Sequence, residues 1–140
     1  MQHFVSEIVS IAEACLGGLR GRSALLIGSE MQQLPFKMLL QQAGIKGIYQ
    51  EETPQRLVTL LPHVQLLMNM PDPSRAANEA PQITAAAIAQ GCANRRVPLV
   101  IFDLAETSSI EELAGLLPAV CLYTPDDLRL ILARYKVQIA

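Results

Sequence analysis

The stretch with the most chemical content is SALLIGSEMQQLPFKMLLQQAG, Ser23 to Gly44. An apolar run meets Gly28, and a helix-like segment follows. A glycine at such a junction can open a phosphate-binding turn, because free N–H groups and the positive helix end favour an anion there. A dinucleotide turn of the G-x-G-x-x-G kind would place further glycines at positions 30 and 33. Those positions hold Glu30 and Gln33. At position 30 a glycine would let backbone approach the pyrophosphate, whereas Glu30 adds bulk and sets one negative charge against another. Gly28, Ser29, Glu30 and Met31 are therefore the candidate cofactor turn, or the frame of one whose cradle has been filled.

Other residues offer weaker chemistry. Asp126 and Asp127 resemble an acid pair, but they follow Thr124–Pro125 and suit the first turn of a helix. His3 and His63 each lack a second ligand at metal spacing, so no metal site is expected. The cysteines are three and lack C-x-x-C spacing, as free thiols of a reducing compartment do. Cys15 lies on an apolar helical stripe and Cys121 within a strand, so both are expected in the core. Cys92 is expected to be the exposed one, its pKa lowered by Arg95 and Arg96. It has no evident partner base, and no catalytic residue is assigned.

The elements that position these residues alternate. Residues 3–16 place Val5, Ile8, Val9, Ala12, Cys15 and Leu16 on one helical face, and GGLRGR ends that helix. SALLI is apolar throughout, as a strand covered on both faces requires. The next helix carries Pro35 in its first turn and stops at Gly44. IKGIYQ is a second strand, and Thr53–Pro54 begins a helix through Leu61. VQLLMNM, LVIFDL and AVCLY are three more strands. A helix spans about 82–90, two overlapping S-x-x-E boxes start at Ser108 and Ser109, and TPDDLRLILARY is a helix capped by Thr124. Strands alternating with helices define an α/β fold. The expectation is a single Rossmann-like doubly wound domain over 1–140, with a mostly parallel sheet of about five strands. Residues 1–20 form its leading N-terminal helix and turn. In such a fold Glu51 and Glu52, closing the second strand, would meet a ribose hydroxyl and oppose a 2′-phosphate. Asn69, closing the third, stands where a residue beside a nicotinamide would be, although a loop asparagine is the plainer account.

Bulk composition narrows the class. The chain has 140 residues, 51% apolar and 17% charged, with a net charge of −2. It supports one well-buried core. The basic residues are scattered, so direct nucleic-acid binding is not expected. No apolar run reaches the roughly 18 residues of a membrane span. The N-terminus lacks a signal peptide's basic start, and a cytoplasmic location is expected.

These strings together resemble the nucleotide-binding domain of glutamyl-tRNA reductase, within the shikimate dehydrogenase-like Rossmann superfamily. VSEIVSIAEACLGGLRGRSALLIG resembles that family's lead-in helix, turn and first strand. VPLVIFDLA resembles the strand ending in D-x-A, and VCLYTPDDL its closing L-Y-x-x-D-D-L, through Tyr123, Asp126, Asp127 and Leu128. The departures are equally specific. The family's G-A-G-E-M-G turn keeps only Gly28 in register. Its N-R-T-x-x-R, whose first arginine accommodates the extra phosphate of NADP, is EETPQR here. Its P-R-D-I is replaced by Thr107, Ser108, Ser109 and Ile110. The family's catalytic domain, with its thioester-forming cysteine, and its dimerisation helix have no counterpart in these residues. The resemblance implies NADP or NAD as cofactor, and the departures imply none. The expected function is a binding or regulatory module linked to tetrapyrrole biosynthesis, without autonomous reductase activity. The alternative is a working NAD(P)-binding subunit of an oxidoreductase. The expected partner is a second copy or a tetrapyrrole-pathway protein.

Overall fold

A computed structural model describes the backbone of residues 2–76 and 78–139 and the side chains of 4–76 and 78–134. The His3 side chain thus lies outside the described residues. In chain order the elements are α1 (Gln2–Leu16), β1 (Ser23–Ile27), α2 (Glu30–Gln42), β2 (Gly47–Glu51), α3 (Leu57–Leu60), β3 (Leu66–Asn69), α4 (Ala85–Gly91), β4 (Leu99–Asp103), β5 (Val120–Tyr123) and α5 (Pro125–Ile139). All four strand pairings are parallel, in the order β2-β1-β3-β4-β5. This is the expected α/β architecture.

The apolar runs are explained by two cores, one on each face of the sheet. Ala24, Leu26, Leu66, Met68, Val100 and Phe102 pack beneath α1 and α2. Leu25, Ile27, Leu67, Leu99 and Ile101 pack on the opposite face against Leu57, Leu60 and Ile88 of α3 and α4. Successive strand residues point to opposite faces, so a doubly covered strand must be apolar at every position. Each fully buried Leu or Ile contributes about 1.5–3 kcal/mol. Register aligns the strand ends: Ile27 pairs with Glu51 and with Asn69, and Asn69 pairs with Asp103. The order reverses between β1 and β3, and ligands of open α/β sheets bind at such a reversal, outside the carboxyl ends.

Several local expectations are corrected. Helix α2 starts at Glu30, which puts Pro35 in its interior on the exposed side, where the missing N–H leaves the Met31 carbonyl to solvent. Its end is as expected: Gly44 takes φ +87° and the Ile45 N–H reaches the Leu40 carbonyl at 3.1 Å. The helix expected from Thr53 is broken into α3 flanked by 3-10 turns at Pro54–Arg56 and Leu61–His63, and Pro62, which cannot continue the helical bonding, stands in the second of them. Thr53 makes no side-chain cap there. The helix expected at 82–90 begins after Thr84, whose hydroxyl accepts from the Ala87 N–H. Neither S-x-x-E box forms: Ser109 turns to Asp103, and Glu111 accepts the Ala85 N–H of α4. Thr124 caps α5 as expected, accepting from the Asp127 N–H while the Asp127 carboxylate accepts from the Thr124 N–H.

The cysteines reverse their expected places. Cys15 and Cys121 are exposed and Cys92 is half-buried. Burial pushes the Cys92 thiol up, outweighing the nearby Arg95. Arg95 is itself spent on the Leu61 and Val64 carbonyls.

Candidate functional site

A cavity of about 820 Å³ opens at the strand-order reversal, within the range of about 300–1,000 Å³ typical of small-molecule sites. It is lined by Gly28, Ser29, Glu30 and Met31 from the β1–α2 turn, by Glu52, Thr53 and Pro54 after β2, and by Asn69 to Pro73 after β3. The fold thus gathers six of the seven residues singled out in the sequence. The seventh, Glu51, stands aside and pairs with Arg56 at 3.3 Å.

The turn itself is already occupied by the chain's own groups. Gly28 takes φ +149°, and a Cβ built there would lie 2.5 Å from Met70 Cβ and 2.9 Å from Gln32 Oε1. Glycine is therefore required by the packing of Met70 as well as by backbone conformation. The Gly28 N–H donates to the Glu51 carbonyl at 2.9 Å. Ser29 and Gln32 form a reciprocal capping box: the Ser29 N–H donates to Gln32 Oε1 and the Gln32 N–H to Ser29 Oγ. Gln32 Nε2 then donates to the Pro71 carbonyl at 2.7 Å, which holds the loop after β3 across the reversal.

Gln33 stands at the place of the third glycine and is almost fully buried. Its amide donates to the Gly28 carbonyl at 2.9 Å and the Glu51 carbonyl at 3.1 Å, and accepts from Gln50 at 2.9 Å. It ties α2 to the ends of β1 and β2. Of the turn's N–H groups, those of Glu30 and Met31 alone have no protein acceptor among the described residues.

Asn69 is buried, and its amide donates to Ser109 Oγ at 2.7 Å. Ser109 donates in turn to Asp103 Oδ1 at 2.6 Å, while the Ser109 and Ile110 N–H groups donate to Asp103 Oδ2 at 2.8 and 3.0 Å. This network explains the polar end of β4: Asp103 anchors the loop after it, and Asn69 is fixed through that loop. Arg75 braces the neighbouring loop, donating to the Thr107 and Ser108 carbonyls.

The charge around the cavity is negative. Glu30, Glu52 and Asp72 line it, with no lysine or arginine among the lining residues. The Ser74 hydroxyl and N–H hold the Asp72 carboxyl below its ordinary 3.8. A dinucleotide brings about two further negative charges on its pyrophosphate, and up to about four where a 2′-phosphate is present. A pyrophosphate would meet these carboxylates and a crowded turn. The Gly28 and Ser29 amides are engaged, Gln32 and Met70 cover Gly28, and the two N–H groups left free belong to Glu30 and its neighbour Met31. Among the described residues no group of three or more His, Cys, Asp or Glu side chains is placed to hold a metal ion. No described helix is long and apolar enough to cross a membrane.

Of the residues that decide this geometry, Gln33 was noted in the sequence only as the replacement of a glycine, and Gln32 and Met70 were not assigned a part in it. For Gln32 the signal was present, since Ser29 and Gln32 have the S-x-x-Q spacing of a capping box.

Strand order, reversal and crevice define a Rossmann-like α/β domain. Comparison with known proteins narrows the class. The chain is 31% identical to glutamyl-tRNA reductase of Methanospirillum hungatei over an alignment of 144 positions, covering 89% of this chain and 34% of that enzyme. It is 30% identical to the glutamyl-tRNA reductase of Methanocella arvoryzae over 138, covering 90% of the chain and 32% of the enzyme. The chain thus spans about a third of the length of the curated relatives it matches. Its structure matches glutamyl-tRNA reductase from Methanopyrus kandleri with a TM-score of 0.74 and 23% identity, over 97% of this chain and 39% of that one. A dipicolinate synthase from Bacillus halodurans shares the fold with a TM-score of 0.64 at 13% identity, over 96% of this chain and 52% of that one. A Trypanosoma brucei methylenetetrahydrofolate dehydrogenase-cyclohydrolase, solved with NADP, does so at 0.56 and 13%, over 97% of this chain and 51% of that one. No protein-family model matches. The chain is a glutamyl-tRNA reductase-like domain of the nucleotide-binding type.

Proposed function

We propose that this domain has given up dinucleotide binding and serves as a non-catalytic binding or regulatory module for tetrapyrrole biosynthesis, paired with a second copy or with an enzyme of that route. The observation that carries the reading is the self-filled turn. Gln32 Oε1 takes up the Ser29 N–H that a phosphate could accept from, and Gln33 fills the place of the third glycine with an amide donating to the Gly28 and Glu51 carbonyls. Glu30, Glu52 and Asp72 add repulsion that a helix end, worth up to about 2 kcal/mol, does not offset for a multiply charged anion. The tetrapyrrole assignment rests on the similarity to glutamyl-tRNA reductases.

A second reading is a working NAD(P)-binding component of an oxidoreductase. It is favoured by the cavity volume and by the free Glu30 and Met31 amides. Calorimetric titration with NADPH and with NADH separates the two. The first reading expects no saturation at about 1 mM of either nucleotide. Saturation with Kd below about 100 μM, a binding free energy beyond about −5.5 kcal/mol, overturns it. A preference for NADH would then point to Glu52 at the ribose.

A further inference from the structure

We propose that Cys15 and Cys121 are a reversible disulfide pair that locks the leading helix onto the edge strand of the sheet. Both thiols are open to solvent although they lie 106 positions apart in the chain. Their meeting point is Tyr123. The Cys15 sulfur, in the last turn of α1, lies 3.1 Å from the Tyr123 hydroxyl. Cys121 precedes Tyr123 by two residues on β5, so the two side chains leave the strand on the same face. That face is the one covered by α1: Tyr123 packs on the α1 core and stacks on Phe102 with ring centroids 5.0 Å apart. The intervening Leu122 packs on the opposite core.

Burial pushes the Cys121 thiol up and the charge of Cys15 adds to the rise, against a lowering by Tyr123, so the two cysteines share one neighbourhood around that ring. Both sulfurs are exposed, and the chemistry is the same whichever is oxidised first; with Cys15 first, Cys121 is the resolving thiol. With a peroxide as oxidant the steps balance. The Cys15 thiolate attacks one peroxide oxygen, the O–O bond breaks, and hydroxide leaves to form water; sulfur is oxidised to the sulfenic acid and peroxide reduced. The Cys121 sulfur then attacks the Cys15 sulfur, the S–OH bond breaks, and a second water leaves carrying the Cys121 proton. A thiol such as glutathione reverses the bond by exchange. The link closes a loop of about a hundred residues, a length at which restriction of the unfolded chain is large.

The test treats the purified chain with hydrogen peroxide and maps thiols by maleimide labelling and peptide mass spectrometry under non-reducing conditions. The expected result is loss of two of the three free thiols, a linked peptide pair containing Cys15 and Cys121, and Cys92 still labelled. The oxidised chain should melt roughly 10 °C higher, and dithiothreitol should restore the original value. Cys15→Ser and Cys121→Ser should each abolish the link, and Cys92→Ser should leave it. Mapping of the unsubstituted chain decides the matter even if a variant fails to fold. Recovery of both Cys15 and Cys121 as free or separately oxidised thiols, or a link through Cys92, overturns the proposal.

Discussion

Replacing Gln33 with alanine tests the filled turn at the place where a working dinucleotide site carries a glycine. Three consequences can be sized. The Gly28 carbonyl loses its side-chain donor and is left without a partner, at about 1–3 kcal/mol. The Glu51 carbonyl keeps the Gly28 N–H, and the Gln50 amide is exposed and returns to water, so neither adds much. One buried methylene is lost, worth about 0.8 kcal/mol, and a void on the order of 60 Å³ adds about 1.5 kcal/mol at roughly 24 cal/mol per Å³. Alanine's better helix propensity returns a few tenths. The net loss is about 3–5 kcal/mol. With a urea m-value of about 2 kcal/mol/M the unfolding midpoint should fall by roughly 1.5–2.5 M at unchanged slope. Gln50→Ala leaves Gln33 Oε1 without its donor, about 1–3 kcal/mol, and should move it by the smaller amount of roughly 0.5–1.5 M. Urea titration by far-ultraviolet circular dichroism measures both. A Gln33→Ala midpoint within about 0.3 M of the parent would contradict these magnitudes and the contacts they rest on.

Other perturbations follow from the same contacts. Gly28→Ala should cost about 3 kcal/mol, because its Cβ meets Met70 at 2.5 Å and its φ of +149° strains any side chain; urea unfolding reads this, and a loss below about 0.5 kcal/mol would count against it. Asp103→Ala leaves the Ser109 and Ile110 N–H groups buried and unpaired, so a fall in Tm of roughly 6–12 °C is expected by calorimetry. The hydrogen bond with Cys15, then burial, raises the Tyr123 phenol above its ordinary 10.0. The stability it lends is thus fully present below pH 10 and is lost as pH climbs through the higher folded value. Absorbance near 295 nm should show one phenol ionising later in the native chain than in denaturant, and coincident curves would speak against the contact.

The architecture was legible in the sequence because it rests on bulk signals. ALLI (24–27) and LVIF (99–102) are apolar at every position, which only a doubly covered strand explains, and Thr124–Pro125 and Gly44 mark helix ends by local chemistry. The site was legible in place and less so in detail. Gly28, Glu30, Glu52 and Asn69 do converge, since parallel register sets every strand end on one edge of the sheet. What closes the turn depends on side chains 17 to 42 residues apart, such as Gln33 with Gln50 and Gly28 with Met70. No local pattern reports such a contact. The cysteines misled for a related reason. Cys15 sits at the margin of the α1 stripe and Cys121 on an edge strand, where periodicity alone does not tell a covered face from an open rim. The S-x-x-E boxes failed because Asp103 and the α4 terminus competed successfully for Ser109 and Glu111.

If the β1–α2 turn holds its own side chains in place of a dinucleotide phosphate, its backbone amides should be indifferent to nucleotide. Amide chemical shifts of Gly28, Ser29, Glu30, Met31, Gln32 and Gln33, followed by NMR as NADPH and then NADH are raised to about 1 mM, test this residue by residue. Small, non-saturating changes are expected at all six. Saturating shifts centred on Glu30 and Met31 would show phosphate seated at the helix start, and the turn would then be a working cradle and not a filled one.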